Sequence, residues 1–162
     1  GEPGGSLHPP ESVHTQNLLQ RKSVQTTPNP HVDGIPKEHM HATFPGPYRI
    51  TSLIYLSDVE PGGGGTFAWP RSHREIGRLA ESDPVKYEYL YDLNKDIPSL
   101  DLGKGVELTP QRGDILFFKH LFGHNGSANT LAKPRFMMRY FCSCEKCYTT
   151  WRKVDHWGHW AP

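Results

Sequence analysis

Hydrophobic and polar positions alternate over short stretches of this chain, which is the period of β-strands. The clearest stretch is 48–57, YRITSLIYLS, where β-branched and aromatic side chains occupy both alternating faces. Such a strand is expected to be buried on both sides. Further extended segments are predicted at Val24–Thr27, His31–Asp33, Thr66–Pro70, Val106–Thr109, Ile115–Phe118 and Arg135–Ser143.

Helical periodicity is confined to three short pieces, at Val13–Arg21, His73–Ser82 and Val85–Asp92. Many short strands separated by turns favour a sandwich or a jelly roll. The composition agrees, because 16 glycines and 15 prolines supply turns and 11% of the residues are aromatic. A length of 162 residues suits one domain. We therefore predict a single all-β domain with minor helices.

Charge and hydropathy exclude several kinds of partner. The formal net charge is +1, so no basic nucleic-acid surface is expected. No apolar run approaches the ~20 residues of a membrane span, and the first residues lack the apolar core of a signal peptide. The three cysteines cannot all pair within the chain, which favours a reducing, cytoplasmic compartment. The oligomeric state has no signature in the sequence.

A histidine and an aspartate two positions apart form the first candidate for chemistry. In NPHVDG, strand alternation would place His31 and Asp33 on one face and turn Val32 into the packing. Asn-Pro and Asp-Gly are also ordinary turn signals, so the pair alone is weak. A third ligand, from His120 or His124, would complete the two-histidine, one-carboxylate set that binds iron(II) and leaves positions open. Zinc would favour a four-coordinate site.

Arginines in the last predicted strand form the second candidate. Arg135 begins this strand, and a packed guanidinium needs an anionic partner that matches its planar fork. The alternative is an edge-strand arginine that faces water. This alternative is our interpretation of Arg139, which lies on the same strand face.

The order and spacing of these motifs resemble iron(II)/2-oxoglutarate-dependent dioxygenases over about residues 25–141. The runs YLSDVEPGGGGTFAWPRSH and GDILFFKHLFGHNGSANTLAKPR resemble the phytanoyl-CoA dioxygenase-like family, and RITSLIYLSDVEPGGGGTF is also similar to prolyl-4-hydroxylases. The resemblance implies a double-stranded β-helix, a cupin-like jelly roll. It implies that His31, Asp33 and His124 are the catalytic metal ligands. His124 is preferred over His120 because it alone places Arg135 at the family's spacing of eleven residues.

The resemblance also implies the cofactors, which are Fe(II), 2-oxoglutarate as co-substrate, and O2. Arg135 would bind the far carboxylate of 2-oxoglutarate, and Tyr55 would touch the same carboxylate, as in prolyl-hydroxylase-like members. The implied reaction converts 2-oxoglutarate to succinate and CO2 and hydroxylates a small organic substrate. Halogenases of this class carry a small residue at the carboxylate position, so Asp33 favours hydroxylation.

The length of chain before the metal-ligand pair departs from the family. Only 30 residues precede His31, and the resemblance implies more. We therefore expect a dioxygenase core at about 24–144 that lacks outer N-terminal elements, followed by a C-terminal tail at 145–162.

Cysteines near the C-terminus form a competing site. Cys142, Cys144 and Cys147, followed by His156 and His159, have spacings that can bind zinc, although CxC is less usual than CxxC. Free thiols, or a disulfide within the cluster, are the simpler interpretations. Two alternative functions therefore stay open, a peptide prolyl hydroxylase and a non-catalytic jelly-roll binding module stabilised by zinc.

Three further features have mainly structural interpretations. The four glycines of Gly62–Gly65 lack the Lys-Ser/Thr of a phosphate-binding loop and predict a flexible hairpin turn. Thr66 and Trp69 suit either the cavity or the core. His39 and His41 are expected in a solvated loop beside the site.

Overall fold

The computed structural model describes residues 13–21, 27–34, 37, 40–46 and 50–142. Two short helices, α1 (Ser72–Ser82) and α2 (Leu90–Asp96), are followed directly by a 3₁₀ turn at Ile97–Ser99. The seven strands are β1 (His14–Leu18), β2 (Ile50–Tyr55), β3 (Thr66–Ala68), β4 (Val106–Glu107), β5 (Ile115–Lys119), β6 (His124–Gly126) and β7 (Arg135–Cys142).

The strands form two antiparallel sheets. The large sheet has the order β1-β7-β2-β5, and the small sheet has the order β4-β3-β6. From β4 to β7 the chain alternates between the two sheets, so strands that are adjacent in a sheet are distant in sequence. This crossing pattern is that of a double-stranded β-helix, as the sequence predicted.

One hydrophobic core is formed by the two helices and the segments that pack against them. Helix α1 buries Ser72, Ile76 and Ala80, which recur every four residues and so line one face. Val32 is fully buried in this core. The other buried members of the core are Tyr87, Leu90, Leu93, Ile97 and Leu121.

The second core lies on the inner face of the large sheet. Leu53 and Tyr55 of β2 face this core with Met137 of β7 and Phe118 of β5. In the strand register Tyr55 lies opposite Met137, and Leu53 lies opposite Arg139. Arg135 and Arg139 lie two positions before and two positions after Met137 on β7. Since alternate residues of a strand share a face, both arginines point inward as well.

The structure corrects three predictions of local structure. The predicted helix at Val13–Arg21 contains the strand β1, which pairs along its whole length with β7; this tertiary pairing outweighs a weak helical period. The predicted helix at Val85–Asp92 begins instead at Leu90. The glycine run 62–65 is not a hairpin turn, because β2 and β3 lie in different sheets.

Of the predicted extended segment His31–Asp33, only His31 pairs with another strand, through a single bridge to His124. The other predictions agree with the described residues. The helix at His73–Ser82 and the strands within 48–57, 66–70, 106–109, 115–118 and 135–143 are confirmed, with ends shifted by a few residues. Of the segment Val24–Thr27, residues 24–26 lie outside the described part of the chain. Within that part, no helix has the length and apolar character needed to cross a membrane.

Candidate metal centre

His31, Asp33 and His124 meet at one end of the small sheet. The backbone of His31 pairs with that of His124 through two N–H···O bonds of 3.0 Å, which adds this segment to the sheet beside β6. One ligand atom from each of the three side chains lies within 4.8 Å of the others. Asp33 and His124 are buried and His31 is half-buried. Among the described residues, this is the one group with such metal-binding geometry.

A hydrogen bond of the His124 ring at Nδ1 leaves the other ring nitrogen, Nε2, able to bind a metal. Nδ1 lies 2.9 Å from the carbonyl oxygen of Phe122, and because a carbonyl can only accept, Nδ1 carries the hydrogen. In the neutral ring Nε2 then offers a lone pair, and it faces Oδ2 of Asp33 at 3.5 Å. That oxygen is buried and has no hydrogen-bond partner. A cation between the two acceptors would satisfy both, so the residues fit a bound metal.

The electrostatic environment keeps His31 neutral and Asp33 ionised. Burial lowers the pKa of His31 to about 4, and the nearby His124 adds to this effect. Burial alone would raise the pKa of Asp33, but His124, Arg139 and His31 outweigh it and hold this pKa below its usual value. Neutral imidazole and carboxylate are the forms that bind metals.

We expect the metal-free protein to lose stability as the pH falls from about 6.5 to 4. The unfolded chain takes up a proton at His31 with an ordinary pKa near 6.5, whereas the folded chain resists this down to about 4. The difference corresponds to about 3 kcal/mol of unfolding free energy at pH 4. Urea unfolding at pH 7 and pH 4 measures this loss. The His31→Gln variant should lose clearly less unfolding free energy between these two pH values. An equal loss in both proteins would mean that His31 does not cause the pH dependence.

A side chain from α2 holds the backbone between the two ligands of the His31-x-Asp33 pair. Asn94 accepts a hydrogen bond from the N–H of Val32 at 2.8 Å and donates to the carbonyl oxygen of Val32 at 3.1 Å. Its amide also donates to the carbonyl oxygen of Leu90 at 2.9 Å within the helix. The helix thus fixes the segment that carries two of the three candidate ligands. No pattern in the sequence marks this asparagine, which lies inside an otherwise ordinary helix.

Replacing Asn94 by alanine is expected to destabilise the metal-free protein by about 2–4 kcal/mol, because both backbone groups of Val32 lose their partner. Urea unfolding measures this change. The matched control is Lys95→Ala in the same helix, whose ion pair with Asp92 is exposed and therefore contributes little to stability. Similar losses in the two variants would mean that Asn94 does not hold the ligand segment.

Arg135, like Asp33, is a charged residue that is buried in the protein. Its residue is only 4% exposed, and no carboxylate pairs with it among the residues that the structure describes. Burial lowers its pKa, an effect that Tyr55 opposes, and a guanidinium remains charged in proteins. A buried cation without an anionic partner is costly. Arg135 therefore needs an anion that the described residues do not supply.

Tyr55 lies near Arg135 and is almost fully buried. Its hydroxyl shares a hydrogen bond of 2.5 Å with Oγ1 of Thr66, which joins the large sheet to the small one. Burial raises the pKa of Tyr55, so the phenol stays protonated and able to donate. Thr66 thus lies in the space between the sheets. Trp69 packs against Phe67, with ring centroids 5.0 Å apart, and is a core residue.

Arg139 does not face water, and this corrects the interpretation of the sequence. Its Nη1 atom lies 2.9 Å from Oδ1 of Asp33, and a quarter of its side chain is exposed. The strand pattern placed Arg139 on the same face as Arg135. The sequence could not show that this face is the interior of the barrel at the metal-ligand end.

The other candidate residues lie apart from the centre or outside the described residues. His120 is buried, and its Nε2 atom lies 3.3 Å from the carbonyl oxygen of Thr43; it is not in the metal group. His41 is described but His39 is not. Cys142 is a half-buried free thiol. The remaining zinc candidates, Cys144, Cys147, His156 and His159, lie outside the described residues, so zinc at this cluster has no support.

The glycine run 62–65 binds an anionic side chain of the protein itself. The carboxylate of Glu107 accepts hydrogen bonds from the N–H groups of Gly62 at 3.0 Å and Gly65 at 3.1 Å. These amides are therefore occupied, which agrees with the absence of a phosphate-loop motif.

Comparisons with known proteins are informative at the level of structure. No protein-family model matches the sequence, and no curated protein sequence matches it. Among solved structures, the non-heme alpha-ketoglutarate-dependent carbocyclase SnoK from nogalamycin biosynthesis superposes with a TM-score of 0.57 at 20% identity, over 82% of this chain and 48% of that one.

Two related structures contain ligands. The epimerase SnoN in complex with Fe3+, alpha-ketoglutarate and nogalamycin RO gives a TM-score of 0.55 at 19% identity, over 81% of this chain and 48% of that one. EctD from S. alaskensis with 2-oxoglutarate and 5-hydroxyectoine gives 0.55 at 14% identity, over 86% of this chain and 45% of that one.

These similarities confirm the jelly-roll fold, and at such identities they show the fold alone. The chain spans less than half the length of each of the three proteins. They do not single out the phytanoyl-CoA dioxygenase-like subfamily, which stays a prediction.

Proposed function

We propose that this chain is the jelly-roll core of an iron(II)- and 2-oxoglutarate-dependent oxygenase that hydroxylates a small organic substrate. The observation that carries the proposal is a largely buried His/Asp/His group on the side of the large sheet to which Arg135, a buried arginine without a carboxylate partner among the described residues, also points. SnoN holds iron and alpha-ketoglutarate, and EctD holds 2-oxoglutarate. These ligands support the proposal that a protein of this fold binds iron and a 2-oxo acid.

The three ligands would occupy one side of an iron(II) ion. His31 and His124 would each give a ring nitrogen, and Asp33 would give Oδ2, the oxygen that lacks a hydrogen-bond partner. This set leaves adjacent positions open for a co-substrate and oxygen. Iron(II) bound there would supply the oxidative chemistry, in which decarboxylation of 2-oxoglutarate to succinate and CO2 is coupled to hydroxylation.

Arg135 would hold the far carboxylate of the co-substrate. Its planar fork can donate two parallel hydrogen bonds to a carboxylate, and its Nε atom is buried without a partner. Arg135 and Arg139 are four residues apart on β7, which separates their backbones by about 13 Å. Arg139 reaches the metal group, so a five-carbon dicarboxylate bound to the metal would extend along β7 toward Arg135.

Apolar side chains beside the ligands would keep water from the reacting groups. The ring of Phe118 packs on that of His124 with centroids 4.5 Å apart, and Val32 fills the space behind the His31-x-Asp33 pair. Charges interact more strongly in such a site than in water. The protein would thus orient the ligands and exclude solvent.

The direct test is an anaerobic titration of the purified protein with iron(II) and then 2-oxoglutarate. A weak visible charge-transfer band should appear only when both are present, since the co-substrate must chelate the metal. The matched control is His73→Gln, a histidine of α1 outside the metal group, which should keep the band. Absence of the band at saturating concentrations would overturn the proposal.

A further inference from the structure

The two carboxylate oxygens of Asp33 have different environments. Oδ1 accepts a hydrogen bond of 2.9 Å from Nη1 of Arg139, whereas Oδ2 faces Nε2 of His124 and has no hydrogen-bond partner. The Asp33 side chain is only 8% exposed, so water does not readily take the place of either contact. One oxygen is therefore held by the protein, and the other is left for a ligand.

We infer that Arg139 is a positioning residue that fixes the Asp33 carboxylate so that Oδ2 alone binds the metal. The inference rests on the proposed metal site, but it does not require the oxygenase reaction. Carboxylates bind metals through one oxygen or two, and their terminal torsion is broad. An ion pair to one oxygen removes the two-oxygen arrangement and stops rotation of the group.

Arg139 is suited to this role because its own position is fixed. Its backbone lies in the middle of the large sheet, paired with His14 of β1 on one side and Leu53 of β2 on the other. Its guanidinium lies over the ring of Phe141, 5.1 Å from the centroid. Asp33 follows the segment that pairs with the small sheet. The ion pair therefore connects the two sheets at the metal-ligand end of the barrel.

The opposite role predicts an effect of opposite sign. A guanidinium that merely competed with the metal for Asp33 would weaken metal binding, and its removal would strengthen binding. The geometry favours positioning, because Arg139 contacts Oδ1 and leaves the three ligand atoms within 4.8 Å of one another. Partners that orient a metal ligand typically change metal affinity by about 10- to 100-fold when they are removed.

The test measures Co(II) binding to the full chain by calorimetry and by visible absorption, without any turnover. Arg139→Ala should bind Co(II) about 10- to 100-fold more weakly than the wild type, with an altered ligand-field spectrum because both oxygens of Asp33 become available. Arg139→Lys should restore part of the affinity, since lysine keeps a charge that can reach Oδ1. The matched control, Arg112→Ala, removes an exposed arginine and should leave both readouts unchanged.

A double-mutant cycle separates positioning from general loss of structure. In an Asp33→Asn background the metal affinity is already reduced, and adding Arg139→Ala should lower it little further. Equal or tighter Co(II) binding by Arg139→Ala, with an unchanged spectrum, would overturn the inference while leaving the metal site in place. A wild-type protein that does not bind Co(II) at all would overturn both.

Discussion

Replacing His124 by alanine is expected to abolish 2-oxoglutarate-dependent succinate formation and to lower iron(II) affinity by more than about 100-fold. The substitution removes one of the three proposed ligands, and within the described residues no histidine besides His31 and His124 belongs to the group. The hydrogen bonds between His124 and His31 that hold the small sheet are made by backbone atoms, so the fold should survive. Calorimetric titration with iron(II) and a succinate assay measure the two losses.

The control for this experiment is a variant of His120, the other histidine that the sequence offers as a third ligand. His120 lies four residues earlier and is also buried, but its Nε2 atom lies beside the carbonyl oxygen of Thr43. A His120→Gln variant should keep its iron affinity, and any change should appear in stability. If His124→Ala retained normal turnover while His120→Gln lost it, the ligand assignment would be wrong.

The part of this site that could be predicted from the sequence follows from the alternation of side-chain directions along an extended segment. In HVD the strand period alone places two polar side chains on one side and Val32 on the other, and Val32 is fully buried among the residues of α2. The third ligand could not be chosen from the period, because His120 and His124 both follow the same strand. Only the spacing to Arg135, taken from a family resemblance, distinguished them.

The contacts that support the site could not be predicted, since they join residues far apart in sequence. Arg139 reaches Asp33 across 106 positions, and Asn94 reaches Val32 across 62. Each pair depends on how the sheets and helices pack, and the strand pattern of β7 alone assigns Arg139 only a face. The prediction of a helix at Val13–Arg21 was wrong for the same reason. This segment contains the strand β1, which pairs with the distant strand β7.

These distant contacts show how the fold supports the centre. The His31-x-Asp33 segment has only one bridge of backbone pairing, at His31, and would be a poorly restrained loop by itself. Asn94 holds its backbone from the helical side, and Arg139 holds its carboxylate from the large sheet. Both supports are side chains, so point substitutions can test each one without removing a metal ligand.

Arg135→Ala is expected to raise the 2-oxoglutarate concentration needed for half-maximal succinate formation by about 100-fold or more. The proposed charge-assisted pair between the guanidinium and the far carboxylate would be worth about 3 kcal/mol, and each 1.4 kcal/mol is about tenfold. The iron(II) affinity of the variant should stay close to that of the wild type, because Arg135 is not a ligand. The assay is succinate formation over a range of 2-oxoglutarate concentrations, with calorimetric iron titration beside it.

Arg135→Lys distinguishes the planar fork from charge alone. Lysine keeps the positive charge but offers a point contact, so its 2-oxoglutarate requirement should lie between those of the wild type and the alanine variant. Arg139 carries the same charge on the same strand face, yet it is already paired with Asp33 and should not replace Arg135. An unchanged requirement in Arg135→Ala, with iron binding intact, would show that another group holds the co-substrate, and Arg135 would then need a different anion to explain its burial.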